Sequence, residues 1–184
     1  MLLIAGLGNP GSEYANTRHN VGFMLLDRLS KLHGIKCASR ACGALWGRGT
    51  IKGGDVVLIK PMSFMNQSGK AVGAFARKFS LPLASVLVVL DDCELPLGTL
   101  RIKPGGGSGG HNGLASVIEN LGGTDFPRLR LGVGRPEYGD LTAHVLGSFD
   151  FEEREILDNM LERALTSIEL FIEDGIASAM NRFN

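Results

Sequence analysis

The apolar run at 2–7 is closed at once by Gly8, Asn9 and Pro10, which predicts a buried strand near the middle of a sheet. From 21 to 33 the period changes: Val21, Met24, Leu25, Leu29 and Leu32 recur at helical spacing, and Gly34 supplies a stop. Residues 45–52 and 56–60, joined across Gly53-Gly54-Asp55, predict a β-hairpin. A second helix is expected over 68–79, ended ahead of Pro82, and 86–90 is the purest apolar strand of the chain. Further strands are expected at 99–103 and 129–134, with the glycine-rich loop 104–110 and a short helix at 114–121 between them. The longest helix comes last. It starts at the Asp150 and Glu153 signal and keeps a stripe that runs from Ile156 and Leu157 through Met160, Ala164 and Ile168 to Ile172, ending at Gly175.

Strands alternating with helices, without repeat or linker, predict an α/β fold: one domain over 1–184, a three-layer α/β/α sandwich on a mixed, mostly parallel twisted sheet. Its C-terminal helix is expected over 151–174. A chain of 184 residues suits one well-buried domain and is short for two. With 44% apolar and 21% charged residues and no apolar run near the roughly 18 that a span needs, no membrane association is expected. The start, MLLIAGL, lacks the basic region and cleavage site of a signal peptide, so a cytoplasmic location is expected. Cys37, Cys42 and Cys93 are odd in number and lack CxxC spacing, which points away from a disulfide framework or a zinc site.

Net charge is zero, yet unevenly spread. From Phe149 onward there are 9 acidic and 3 basic residues, leaving a basic body and an acidic tail. Within 101–135, Arg101, Lys103, Arg128, Arg130 and Arg135 face only Glu119 and Asp125, which reads either as an anion-binding face or as a solvated surface.

Candidate chemistry gathers where strand patterns give way to helix patterns, in GLGNPG (6–11), NTRHNVGF (16–23), SFMNQSG (63–69) and GGHNGL (109–114). Gly6, Gly8 and Gly11 spell a dinucleotide-binding G-x-G-x-x-G. The acidic residue that this fingerprint requires is missing, because Asp27 falls inside a helix pattern. His19 stands among polar neighbours at a helix start, and is either a capping or surface histidine or a base. His33 and His144 read as structural, and His111 lies in the glycine-rich loop within reach of a ligand. The spacing of the four histidines offers no metal motif. Asp91 and Asp92 end the 86–90 strand, and form either a turn pair or carboxylates at the sheet's carboxyl edge. A carboxylate on one nitrogen of His19 would leave the other to take a proton from water. No Ser or Cys lies in a nucleophile elbow, so water is the expected nucleophile, with Asn9, Asn66 and Asn112 available for a carbonyl, an oxyanion or a ribose hydroxyl.

GLGNPG, YANTRHNVGF, FMNQSGKAV, DDCELPLG, GGGSGGHNGL and FPRLRLGVGRP follow, in order and at like spacing, the motifs of bacterial-type peptidyl-tRNA hydrolases, and the chain closely resembles that family from residue 6 to about 150. The ending DGIASAMNRFN is similar too. The resemblance implies a monomeric esterase, free of metal and cofactor, that cleaves the bond between a peptide and the 3′-terminal ribose of tRNA. It implies His19 as the base, Asp91 as its partner, and Asn9, Asn66 and Asn112 as positioning groups. Tyr14, Phe64 and Met65 resemble cleft walls, and Lys103 and Arg130 match positions that hold acceptor-stem phosphate. Residues 136–150 resemble a lid. Where some relatives carry Lys there, 137–144 has no Lys or Arg, which leaves Arg135 for that contact. Ser63 replaces a usual Thr, and His144 stands where many relatives carry an aromatic or apolar residue. Two further readings remain open: an inactive RNA-binding relative, and a small-molecule esterase on the same frame.

Overall fold

The computed structural model describes residues 1–136 and 138–184; Glu137, inside the expected lid, lies outside the described residues. Seven strands form one sheet in the order β2-β3-β4-β1-β5-β7-β6. They are β1 (Leu2–Gly6), β2 (Ser39–Ala41), β3 (Ala44–Ile51), β4 (Gly54–Pro61), β5 (Val86–Asp92), β6 (Leu100–Lys103) and β7 (Arg128–Gly132). The helices are α1 (Val21–Leu32), α2 (Ser68–Lys78), α3 (Asn112–Leu121), α4 (Leu141–Leu146) and α5 (Arg154–Phe183).

Alternation along the central strands sorts the core. Ile4, Leu58, Leu87 and Val89 face α1 and α5, while Leu3, Val57, Ile59, Val88 and Leu90 face α2 and α3. This is the expected three-layer sandwich. The sheet is mixed, but its pairings divide evenly instead of being mostly parallel. The central pairs β1·β4, β1·β5 and β5·β7 are parallel, and the outer pairs β2·β3, β3·β4 and β6·β7 are antiparallel. Two tight turns build one edge. Cys42-Gly43 and Lys52-Gly53 each hold both residues at positive φ, the turn geometry whose twist suits hairpin strands.

Four local differences from the sequence expectation matter. The sequence pattern does not predict strand β2 or helix α4, because three residues of which two are exposed, and six residues of the expected lid, carry too little hydrophobic period to read. Strand β5 reaches Asp92, so both aspartates belong to the strand itself. Helix α3 starts at Asn112, with His111 as its cap. At Gly175 the backbone leaves helical values (φ 84°, ψ 174°), yet a further helical stretch follows to Phe183, and Ile156 of the expected stripe is exposed.

Close approach positions the functional corner. A Cβ on Gly22 would lie 2.5 Å from the Leu7 carbonyl oxygen, so only glycine lets the start of α1, and the turn Arg18–Asn20 before it, press onto the end of β1. Likewise a Cβ on Gly69 would lie 1.9 Å from the Ser116 carbonyl oxygen, which sets α2 hard against α3.

Candidate active site

The parallel centre of the sheet delivers β1, β4 and β5 to one edge, where their carboxyl ends open into a cleft of about 890 Å³. Asp91 is its buried centre, 2% exposed. His19 Nδ1 lies 2.8 and 2.9 Å from the two Asp91 oxygens, and His111 Nε2 lies 2.9 Å from Oδ1. Burial pushes the Asp91 carboxyl upward. The two histidines outweigh it, His111 most, and hold the group well below the usual carboxylate range. Asp91 is therefore an acceptor, and both imidazole nitrogens facing it carry hydrogen.

His111 has its tautomer set from both sides. Its Nδ1 accepts from the Leu114 backbone N–H at 3.1 Å, capping α3, so the proton must sit on Nε2 and point to Asp91. Neither ring nitrogen is left for the ligand contact expected of it. His19 differs. Its Nδ1 is spent on Asp91, and its Nε2 has no protein partner among the described residues, in a ring that lines the cleft. His19, Asp91 and His111 are also spaced to hold a metal ion, their ligating atoms lying within 4.8 Å of one another. In the tautomers that the hydrogen bonds dictate, the nitrogens facing Asp91 offer a cation no lone pair.

The asparagines divide into fixed and free. Asn9 N–H donates to Asn20 Oδ1 (2.8 Å), Asn20 Nδ2 donates to the Asn9 carbonyl (2.9 Å), and Asn9 Oδ1 accepts from Met65 N–H (2.8 Å). This arrangement leaves Asn9 Nδ2 as the donor available to a ligand. Asn66, on the turn Met65–Gln67, and Asn112, the first residue of α3, are exposed at the cleft. Met65 is buried in the wall, and Phe64 is 59% exposed over it. Tyr14 does not line the cleft itself; it stands edge-on to Phe64, ring centres 6.5 Å apart.

Basic groups occupy the opposite rim. Lys103, Arg130 and Arg135 all line the cleft, but both arginines have carboxylate neighbours: Arg130 abuts Asp92, and Arg135 abuts Glu94. Among the described residues, Lys103 makes no ion pair. Three contributors escaped the sequence reading. Arg128 is buried and gives its guanidinium to the carbonyls of Gly106 (2.6 Å), Gly107 (3.1 Å) and Thr124 (2.8 Å), bracing the glycine-rich loop. Asn20 orients Asn9, and its place beside His19 in NTRHNVGF was the available signal. Helix α4 lines the cleft through Leu141, Thr142, Val145 and Leu146. His144 Nε2 lies 3.2 Å from the Val133 carbonyl, which gives it a structural place.

An imidazole held by a buried carboxylate with its second nitrogen free, with free amides nearby and cations at the rim, can activate water against a carbonyl in an anionic substrate. The model of the family described as peptidyl-tRNA hydrolase matches residues 3–184. A peptidyl-tRNA hydrolase of Caldanaerobacter subterraneus subsp. tengcongensis is 50% identical over 184 residues, covering 100% of both chains. One from a Synechococcus species is 52% identical, covering 99% of this chain and 82% of that one. A crystal structure of peptidyl-tRNA hydrolase from Acinetobacter baumannii superposes with a TM-score of 0.94 at 38% identity, covering 100% of this chain and 94% of that one.

Proposed function

The chain belongs to the peptidyl-tRNA hydrolase family, and we propose that it hydrolyses its ester through His19 Nε2 as general base. Its reaction is cleavage of the ester between a peptidyl group and the terminal ribose of tRNA. Water held at Nε2 gives up a proton as its oxygen attacks the ester carbonyl. Asp91 keeps the proton of His19 on Nδ1 and stabilises the imidazolium that forms. The tetrahedral oxyanion finds donors in the amides of Asn9, Asn66 and Asn112. As it collapses, the C–O bond to ribose breaks and the imidazolium returns a proton to the leaving oxygen. The peptide leaves as its carboxylic acid, which loses its proton to solvent, and tRNA leaves with a free hydroxyl. His111 acts behind the reaction, as a second hydrogen-bond donor that positions Asp91.

The observation carrying this reading is the asymmetry of His19: one nitrogen locked on a buried carboxylate, the other without a protein partner. No metal or cofactor enters the scheme, since the hydrogen-bonded tautomers already supply base and orientation. Lys103, with Arg130 and Arg135, holds acceptor-stem phosphate, and Phe64, Met65 and the edge-on Tyr14 wall the terminal nucleotide and the first peptide residue. The reading includes a monomer at work in the cytoplasm, where tRNA is used. No helix among the described residues is long and apolar enough to cross a membrane. No observation favours the inactive RNA-binding alternative.

Uncharged amides around the ester also explain selectivity. An acylated α-nitrogen can hydrogen-bond there, whereas a free α-ammonium loses hydration without a counter-charge. Hydrolysis of N-acetyl-aminoacyl-tRNA beside free aminoacyl-tRNA, with chelator present, tests the scheme. Release from the blocked substrate alone is expected. Equal release from both would remove the selectivity, and loss of all release on chelation would remove the metal-free base.

A further inference from the structure

Arg18, Asn20 and His19 share one turn, and each side chain is tied to a different part of the molecule: His19 to Asp91, Asn20 to the Asn9 loop, and Arg18 to the segment that follows α4. Arg18 has no part in the scheme above. It is nevertheless a buried cation, 7% exposed, and the chain after α4 wraps around it. Its backbone N–H donates to the Gly147 carbonyl (3.0 Å), and its Nη1 donates to the Ser148 carbonyl (2.5 Å). Its Nη2 reaches Glu153 Oε2 at 2.6 Å, and its guanidinium lies 5.2 Å from the centre of the buried Phe149 ring. The same Glu153 oxygen accepts from the Asp150 N–H at 2.7 Å, just ahead of α5. Thr17 and Ser148 add a β-bridge.

Burying the charge of Arg18 is a poor route to stability, since taking it out of water offsets much of its attraction to the partly exposed Glu153. Here Arg18 Nε is also buried without a partner, a further cost. What the arrangement does supply is geometry. Helix α4 forms one wall of the cleft and His19 stands at its floor; the stretch joining α4 to α5 meets the His19 turn at Arg18. We propose that Arg18 is a positioning residue that fixes the α4 wall and the His19 turn as one unit, so that the ester carbonyl is presented to the base at a set distance.

Displacement of the wall by about 1 Å is enough to cost on the order of a hundredfold in rate when a near-attack geometry is lost. Arg18→Met keeps length and apolar packing but removes the charge and the donors. Its kcat on N-acetyl-aminoacyl-tRNA is expected to fall by about tenfold or more, while KM changes by less than about threefold because the phosphate contacts are untouched. Amides of 141–149 should lose hydrogen-exchange protection, while those of β1 and β5 keep theirs. Arg18→Lys, which retains the charge opposite Glu153, should recover part of kcat, and Glu153→Gln should show a smaller loss of the same kind.

Unchanged kcat and unchanged exchange in Arg18→Met would overturn the assignment. So would protection lost equally in β5 and in 141–149, which would make Arg18 a folding residue only. Because the inference rests on His19 being the base, His19→Ala is measured alongside: full turnover in that variant would refute the base, while the exchange of 141–149 in Arg18→Met reports on the coupling independently.

Discussion

Asp91 and Asp92 are consecutive residues at the end of β5, yet they sit in two different chemistries. Asp91 accepts from two imidazole N–H groups, those of His19 and His111, the second with its tautomer fixed by the Leu114 N–H. Asp92 sits on the neighbouring side of the strand, where it accepts from the Glu94 N–H at 2.9 Å and abuts the Arg130 guanidinium. The first environment fixes a direction for one proton. The second holds a cation in an ion pair that an incoming phosphate can share. A pleat of one residue thus separates the carboxylate that meets the two histidines from the one that meets a rim arginine, and on the proposed function it separates chemistry from affinity.

The strongest way to break this division is Asp91→Asn. The amide presents N–H groups where His19 and His111 need an acceptor, so the His19 tautomer is lost, and kcat should fall by roughly 10³-fold with little change in KM. Single-turnover hydrolysis of N-acetyl-aminoacyl-tRNA would read this directly. A pH series sharpens it. The Asp91 carboxyl is held below its unfolded value, so it contributes stability that is present above about pH 4 and lost as pH falls towards the folded value. The stability gap between the protein and Asp91→Asn, from urea unfolding, should therefore narrow in acid. A constant gap would mean that the carboxylate is not held by the histidines.

Smaller effects are expected on the rim. Lys103→Ala should raise KM several-fold at low salt with kcat nearly unchanged, and should lower the salt slope of binding by about one phosphate contact. A fall in kcat equal to the rise in KM would place Lys103 in the chemistry instead. Smallest of all, Asp92→Asn removes the counter-charge from Arg130, and KM should fall by about two- to fivefold. Unchanged KM would show that Arg130 does not meet phosphate.

The sequence made the buried elements legible and left the short exposed ones hidden. Strands β1 and β5 are enclosed on both faces, so residues 2–5 and 86–90 are continuously apolar; β2 has three residues with little burial, and α4 has only six. Gly175 does end the helical run that starts α5, but nothing in the pattern shows that another turn of helix can resume behind it. At the site, residue type left His19 as a cap or a base and left Asp91 and Asp92 undivided; the resemblance of the motifs singled out His19 with Asp91, and the structure brings these two within hydrogen-bonding distance. Spatial partnerships were not legible. His111 reads as a ligand contact until α3 is seen to start one residue later, which spends Nδ1 on Leu114 and turns Nε2 to Asp91. The pairing of Arg130 with Asp92 depends on β7 lying beside β5, a register that joins residues nearly forty apart in the chain. Arg18 lies inside a motif that assigns it no role, since its partners come from 147–153.

On the proposed mechanism the free nitrogen of His19 removes the proton from water. The direct measurement is the single-turnover rate of His19→Ala on N-acetyl-aminoacyl-tRNA, with binding of the same tRNA followed in parallel. A rate loss of about 10²- to 10⁴-fold with binding preserved is predicted. Turnover within a few-fold of the unaltered protein, at equal binding, would contradict it.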